Sequence, residues 1–250
     1  MNFQGRDGPL DGHQIFARGY HGLLFNVLQQ SDTTAATWLH KHRSPKPFSV
    51  VPYYNLDGHL TGLRYALLTE DATDIFYRAW MRVYSQKQIL KLGHQPFVVS
   101  NLEVVSGPDC HRLAETAVPQ KELTLHFLSP TAFKQGPGHL PLPLPGNVFH
   151  WPLRVWQAYA PPALRLQMPD TWLNWCRQNI FVTEHQIETA AVSITYKETF
   201  TGFVGQVTFN AYKGGQEYLR IWQTLGHLAA FSGVGHKTTM GMGAVTIVEN

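Results

Sequence analysis

Four glycines fall within eleven residues near the C-terminus, in Gly233-Val-Gly-His-Lys-Thr-Thr-Met-Gly-Met-Gly243, and only seven residues follow them. A run this rich in glycine reads as a loop rather than as the interior of a helix or strand. The residues beyond it, led by Ala244-Val-Thr-Ile-Val248, suffice for one strand and no further helix. The chain must therefore end by feeding a glycine loop into a last strand. Backbone N–H groups in such a loop can approach an anion without Cβ interference, and Lys237, Thr238 and Thr239 add one cation and two hydroxyls. It is not a Walker-type loop, because His236 separates Gly235 from Lys237 and no helix can follow. Nor is it a dinucleotide fingerprint, since Thr238 stands where the third glycine would be needed.

Upstream, the periodicities alternate between helix and strand. Residues 13–30 place Ile15, Phe16, Leu23, Leu24, Val27 and Leu28 on one apolar helical face. Ser31 or Asp32 caps a second helix from Thr33 to His42. The β-rich run 47–54 turns at Asp57-Gly58 and returns as Leu60 to Leu68. Thr69, Asp71 or Thr73 opens a helix carrying Ile75, Phe76, Ala79, Trp80 and Val83, and residues 97–105 form a strand. Helix, two strands, helix, strand is a ferredoxin-like unit without its opening strand. That strand should lie before His13, where only Phe3 and Leu10 are large and apolar; either it is very short or the chain has lost it.

The second half starts again. A strand over 121–128 leads through a proline-rich stretch to Asn147, a cap for a helix over 148–159 that Pro152 could push to start nearer His150. Asp170 caps a helix through Trp172, Leu173, Trp175 and Ile180, whose tryptophans read as core. Strands over 188–196 and 202–212, a helix over 218–231, the glycine loop and the last strand complete the pattern. The reading is an α+β chain of two tandem ferredoxin-like domains, 1–108 and 109–250, with a C-terminal glycine-rich loop.

Composition sets bounds. Apolar residues at 44% and aromatics at 12% can pack cores, and a net charge of +3 is compatible with a nucleic-acid partner without requiring one. Two cysteines, Cys110 and Cys176, make neither a disulfide framework nor a metal cluster, which fits a reducing cytoplasm. No apolar run reaches the ~18 residues that a membrane span needs, and the first residues have no apolar core for a signal peptide.

Several segments together carry a resemblance. The glycine loop is similar to the C-terminal glycine-rich loop of the CRISPR repeat-RNA endoribonucleases, the sixth Cas family of the RAMP superfamily. Leu39-His40, followed six residues after the histidine by Lys46-Pro47-Phe48-Ser49, resembles that family's catalytic segment. Leu128-Ser-Pro-Thr-Ala-Phe133 with its following Leu-Pro-Leu-Pro looks like the opening of the second domain, and Phe200-Thr-Gly-Phe-Val-Gly205 is similar to the penultimate hairpin. The resemblance implies RRM-like RAMP domains, no cofactor, and CRISPR repeat RNA as partner, with other Cas effector subunits as further candidates. It implies His40 and Lys46 as the catalytic pair. It also implies RNA contact by Gly233, Gly235, His236, Lys237, Thr238, Thr239, Gly241 and Gly243.

Metal-free RNA cleavage by the neighbouring 2′-hydroxyl leaves a 2′,3′-cyclic phosphate and a 5′-hydroxyl. It needs a base at the 2′-oxygen, an acid at the leaving 5′-oxygen and a cation at the phosphorane. Imidazole exchanges protons near neutrality, and lysine supplies the charge. Some members of the resembling family carry a tyrosine on the first helix as a third group; here Phe25 takes that place and cannot transfer a proton. His21, one turn earlier, and His42, two residues beyond His40, are candidates to replace it. The bland readings are a histidine at a helix end, a solvent-facing lysine, a cap-bonded His21 and a flexible hairpin loop. His40-x-His42 is no metal motif, because neither Cys nor acidic residues stand near it. A catalytically silent RNA-binding member of an effector complex is the alternative to the enzyme, and a nucleotide-binding enzyme is disfavoured by the loop's terminal position.

Overall fold

The computed structural model describes residues 1–248; Glu249 and Asn250, the end of the expected second domain, lie outside the described residues. The chain folds into two compact units. The first comprises Met1–Val105, Val192–Thr199 and Thr239–Gly241; the second comprises Ser106–Ala191, Phe200–Thr238 and the chain from Met242 onward.

The opening strand of the first unit exists. β1 (Asn2–Gly5) and β2 (Leu10–Asp11) both pair antiparallel with one later strand, Asn2 opposite Gly62 and Leu10 opposite Leu60. They run along that strand as one course of backbone broken by residues 6–9, too short and too polar for alternation to reveal. The first helix begins later than its periodicity suggests. Gly12–Gln14 form a 3-10 turn capped by Asp11, and α1 runs Ala17–Ser31. α2 (Thr33–Lys41) is capped by Asp32, whose carboxylate accepts from the Ala35 N–H at 2.9 Å.

β3 (Phe48–Tyr54) and β4 (His59–Leu67) form the expected hairpin, with Gly58 at φ +78° and the Asn55 side chain accepting from the N–H groups of Asp57 and His59. Thr69 caps α3 (Glu70–Ser85). A short β5 (Leu90–Leu92) precedes β6 (Gln95–Asn101), which ends four residues before the expected Val105. The strand order β3-β4-β1-β6, with β5 outside β6, is the antiparallel order of a ferredoxin-like sheet. Leu24, Val27 and Leu28 of α1 and Phe76, Trp80 and Val83 of α3 share its core with Phe48, Val50, Leu63 and Phe97.

The second unit repeats the plan. α4 (Cys110–Thr116) leads into β7 (Glu122–Thr131), then a small hairpin of β8 (Phe133–Gln135) and β9 (Gly138–Leu140). α5 (Pro145–Val148) precedes α6 (His150–Tyr159), so Asn147 lies inside a short helix and caps nothing. α7 (Pro169–Asn179) starts at Pro169, which leaves Asp170 in its first turn rather than at its cap. β10 (Ile180–Ser193) and β11 (Thr199–Ala211) are both longer than the sequence pattern shows, because their outer faces are polar. α8 (Gln216–Ser232) and β12 (Val245–Val248) close the chain, and the order β10-β11-β7-β12 again matches the ferredoxin-like sheet. Trp172 is buried as expected of core, and Trp175 is partly buried with its indole N–H given to the Lys213 carbonyl at 2.9 Å. No helix among the described residues is long and apolar enough to cross a membrane.

Candidate active site

The C-terminal end of α2 leaves carbonyls with no partner in the helix. Lys46 meets two of them. Its Nζ donates to the carbonyl oxygens of Leu39 and His40, each at 2.7 Å. The cation also opposes the negative end of the helix dipole. Partial burial holds the Lys46 ammonium below its ordinary pKa. The reach from Lys46 back to α2 fixes the loop between helix and strand, and with it the backbone of His40.

The His40 side chain is exposed and meets the edge of Phe25, with ring centroids 5.5 Å apart. Phe25 in turn packs on His21 at 4.7 Å, and His21 lies stacked at 6.4 Å from Phe48. Phe25 thus stands between two imidazoles. His21 is the more buried of the two. Its Nδ1 is shielded from solvent and has no hydrogen-bond partner among the described residues. Burial is the largest cause lowering its pKa; a backbone hydrogen bond with Thr239 opposes the shift, and the charges of Lys46, His40 and Arg18 add to it. His21 is accordingly neutral at neutral pH, the form that can accept a proton.

His21, His40 and Lys46 are therefore gathered in one region of the first unit. His42 is the C-cap of α2. Its ring packs edge-on against Trp38 with centroids 5.3 Å apart, and its Nδ1 lies 2.8 Å from the Arg43 carbonyl oxygen. No group of three or more His, Cys, Asp or Glu gathers as for a metal ion among the described residues.

In the glycine loop the protein's own backbone explains much of the composition. Gly233 caps α8 at φ +66°. Gly243, at φ +69°, could carry no side chain, because a Cβ there would lie 1.9 Å from the Val234 carbonyl oxygen. The N–H groups of Val234, His236 and Gly243 donate to Gly243, Ala132 and Pro130, so these amides are not open to an anion. The Ser129 hydroxyl accepts from the Ala244 N–H at 2.8 Å. Two segments distant in sequence, 128–133 and 233–244, are thereby stitched into one structure, which spacing along the chain could not reveal. Lys237 adopts φ +64°, and Thr238–Met240 form a 3-10 turn with Thr238 buried.

Two consecutive ferredoxin-like sheets, with a glycine loop before the last strand, give the chain a RAMP-type fold. The family profile of the CRISPR-associated endoribonuclease Cas6 matches residues 125–245. Among solved structures, a Thermus thermophilus Cas6 in a product complex is 26% identical with a TM-score of 0.85, covering 99% of this chain and 97% of that one. A second Cas6 product complex is 24% identical with a TM-score of 0.76, covering 94% of each chain. A RAMP protein described as binding different RNA substrates shares the fold, at 15% identity and a TM-score of 0.52, over 99% of this chain and 98% of that one. No curated protein sequence matches significantly. The chain is therefore similar to the CRISPR-associated endoribonuclease Cas6, by family profile over residues 125–245 and by fold over nearly its whole length.

Proposed function

We propose that this protein is a Cas6-type, metal-independent endoribonuclease that cuts CRISPR precursor RNA within its repeats. The cut uses the neighbouring 2′-hydroxyl and leaves a 2′,3′-cyclic phosphate and a 5′-hydroxyl. The observation that carries this reading is the exposed His40 imidazole on the helix end whose carbonyls, that of His40 included, anchor the Lys46 ammonium. Likeness to Cas6 proteins solved with product and with a substrate mimic supports repeat RNA as the partner.

His40 moves a proton at the reacting oxygens. An ammonium has three N–H donors; Lys46 gives two to Leu39 and His40, and the third meets a phosphoryl oxygen as negative charge grows there. His21, neutral and close by, is the first candidate for the second proton carrier, and His42 the next. The glycine loop holds the RNA rather than cutting it, through the side chains of His236, Lys237 and Thr239, while Gly233, Gly235, Gly241 and Gly243 give the loop its left-handed backbone and Thr238 is buried beneath it.

The test is incubation of the protein in EDTA with end-labelled repeat RNA, followed by analysis of the product ends. The expected result is one cut per repeat with a 5′-hydroxyl and a cyclic phosphate. A 2′-deoxy nucleotide at the scissile position should abolish cutting and leave binding nearly intact. Efficient cleavage of that deoxy RNA would sink the mechanism.

A further inference from the structure

In the second unit, the β8–β9 hairpin and the glycine loop meet at two imidazoles. Nε2 of His139 lies 2.8 Å from Nδ1 of His236, and the rings stack with centroids 5.0 Å apart. Phe200 packs edge-on against His139, centroids 5.0 Å apart, and its ring lies 6.4 Å from that of His236. Lys134 stands opposite His139 across the hairpin, and Lys237 follows His236 in the loop. On β11 the neighbours of Phe200 are Thr199 and Thr201, with Glu198 two residues before it in sequence. His139 and Lys134 are exposed.

A contact this short between ring nitrogens is a hydrogen bond and needs one proton between them. Two neutral histidines hold two protons, one in the bridge and one on an outer nitrogen. A third proton places an N–H on both outer nitrogens and spreads one positive charge over the stacked rings. A fourth would put two donors face to face and break the bridge. The pair can therefore take up a single proton without losing its bridge. A bound phosphate favours the charged pair, because opposite charge stabilises the protonated form.

We propose that His139 and His236 together form a phosphate-binding site for the RNA backbone, charged by one proton as the RNA binds. The site rests on the reading of the chain as an RNA-processing enzyme. It extends that reading to the β8–β9 hairpin and makes part of the RNA affinity pH-dependent.

The experiment measures the affinity of repeat RNA, 2′-deoxy at the scissile nucleotide, near pH 8 and near pH 6 at fixed salt. It compares the wild type with His139→Phe, His236→Phe and the double variant. Phenylalanine keeps a ring against Phe200 and cannot take a proton, and cleavage of normal RNA at saturation reports that the variants are folded. Near pH 8, His139→Phe should bind much as the wild type does. Near pH 6 it should bind about threefold to tenfold more weakly, the loss of one charge-assisted contact. The double variant should lose no more than either single one, because the two rings act as a unit. Wild-type affinity for His139→Phe at both pH values overturns the proposal, and so does an equal loss at both, which marks a structural role alone. A wild type that neither binds nor cuts repeat RNA defeats the endoribonuclease reading itself. A wild type that cuts while His139→Phe matches it defeats only the imidazole pair.

Discussion

At the end of α2, the proposed mechanism gives proton transfer to the exposed His40 imidazole and both charge and support to the partly buried Lys46 ammonium. His40→Ala should lower the single-turnover rate by about 10²–10⁴, the range of one general acid or base, with RNA affinity nearly unchanged. Lys46 has two tasks, so its removal should show in two measurements. Lys46→Met leaves the carbonyls of Leu39 and His40 without their donor and should cost about 1–3 kcal/mol in denaturant unfolding, as well as slowing cleavage. A rate effect with unchanged stability would mean that the helix end is satisfied in another way. The His21 shift predicts a pH effect on stability. Burial lowers its pKa in the folded chain, so the unfolded chain takes up the proton first as pH falls. The stability tied to neutral His21 is present above the ordinary imidazole pKa of ~6.5 and is lost below it. His21→Phe should flatten that loss between about pH 7 and pH 5, measured by denaturant unfolding. If His21 also carries a proton in the reaction, His21→Ala should remove one limb of the pH–rate profile.

Among the elements, the glycine loop separates residues that shape the backbone from residues that contact a ligand. Gly243→Ala places a Cβ on the Val234 carbonyl oxygen in a left-handed backbone, and should destabilise the second unit by at least about 2 kcal/mol. Lys237→Gly should do the opposite. Glycine suits the φ of +64°, so the fold stays intact while one cation is lost and RNA binding weakens. Thermal melts and RNA affinity on both variants distinguish the two cases. The sequence made the loop conspicuous, since glycine density survives any context. It made the two-domain order legible as well, because α1, α3 and the β3–β4 hairpin have strong periodicity and clear caps. β1, β2 and the β8–β9 hairpin were not legible, because two to four residues carry no period. His139 was hidden for the same reason: its meaning comes from a partner 97 residues away. His40 and Lys46 were singled out by resemblance alone, yet the anchoring of Lys46 on α2 is a matter of three-dimensional reach.

For the whole molecule, a net charge of +3 is too small for a general electrostatic field to hold RNA tightly. On the proposed reading, affinity comes from local groups, among them Lys237, the paired imidazoles and Lys134 in the second unit, and Lys46 in the first. Each phosphate contact releases counterions, so the logarithm of the binding constant should fall linearly with the logarithm of salt concentration. For single-stranded RNA each contact contributes about 0.7 to the slope. Removing Lys237 should therefore reduce the slope by about that amount, and a second cation removed from the same cluster should reduce it again. The chemical step should respond differently. Once RNA is saturating, His40 and Lys46 act at fixed distance in a partly shielded site, where salt screens little. Raising salt from about 50 to 200 mM should thus weaken binding severalfold or more while the saturated single-turnover rate stays within about twofold. A saturated rate that fell in parallel with affinity would show that the phosphate contacts also position the scissile bond, and that the division between a holding loop and a cutting helix is wrong.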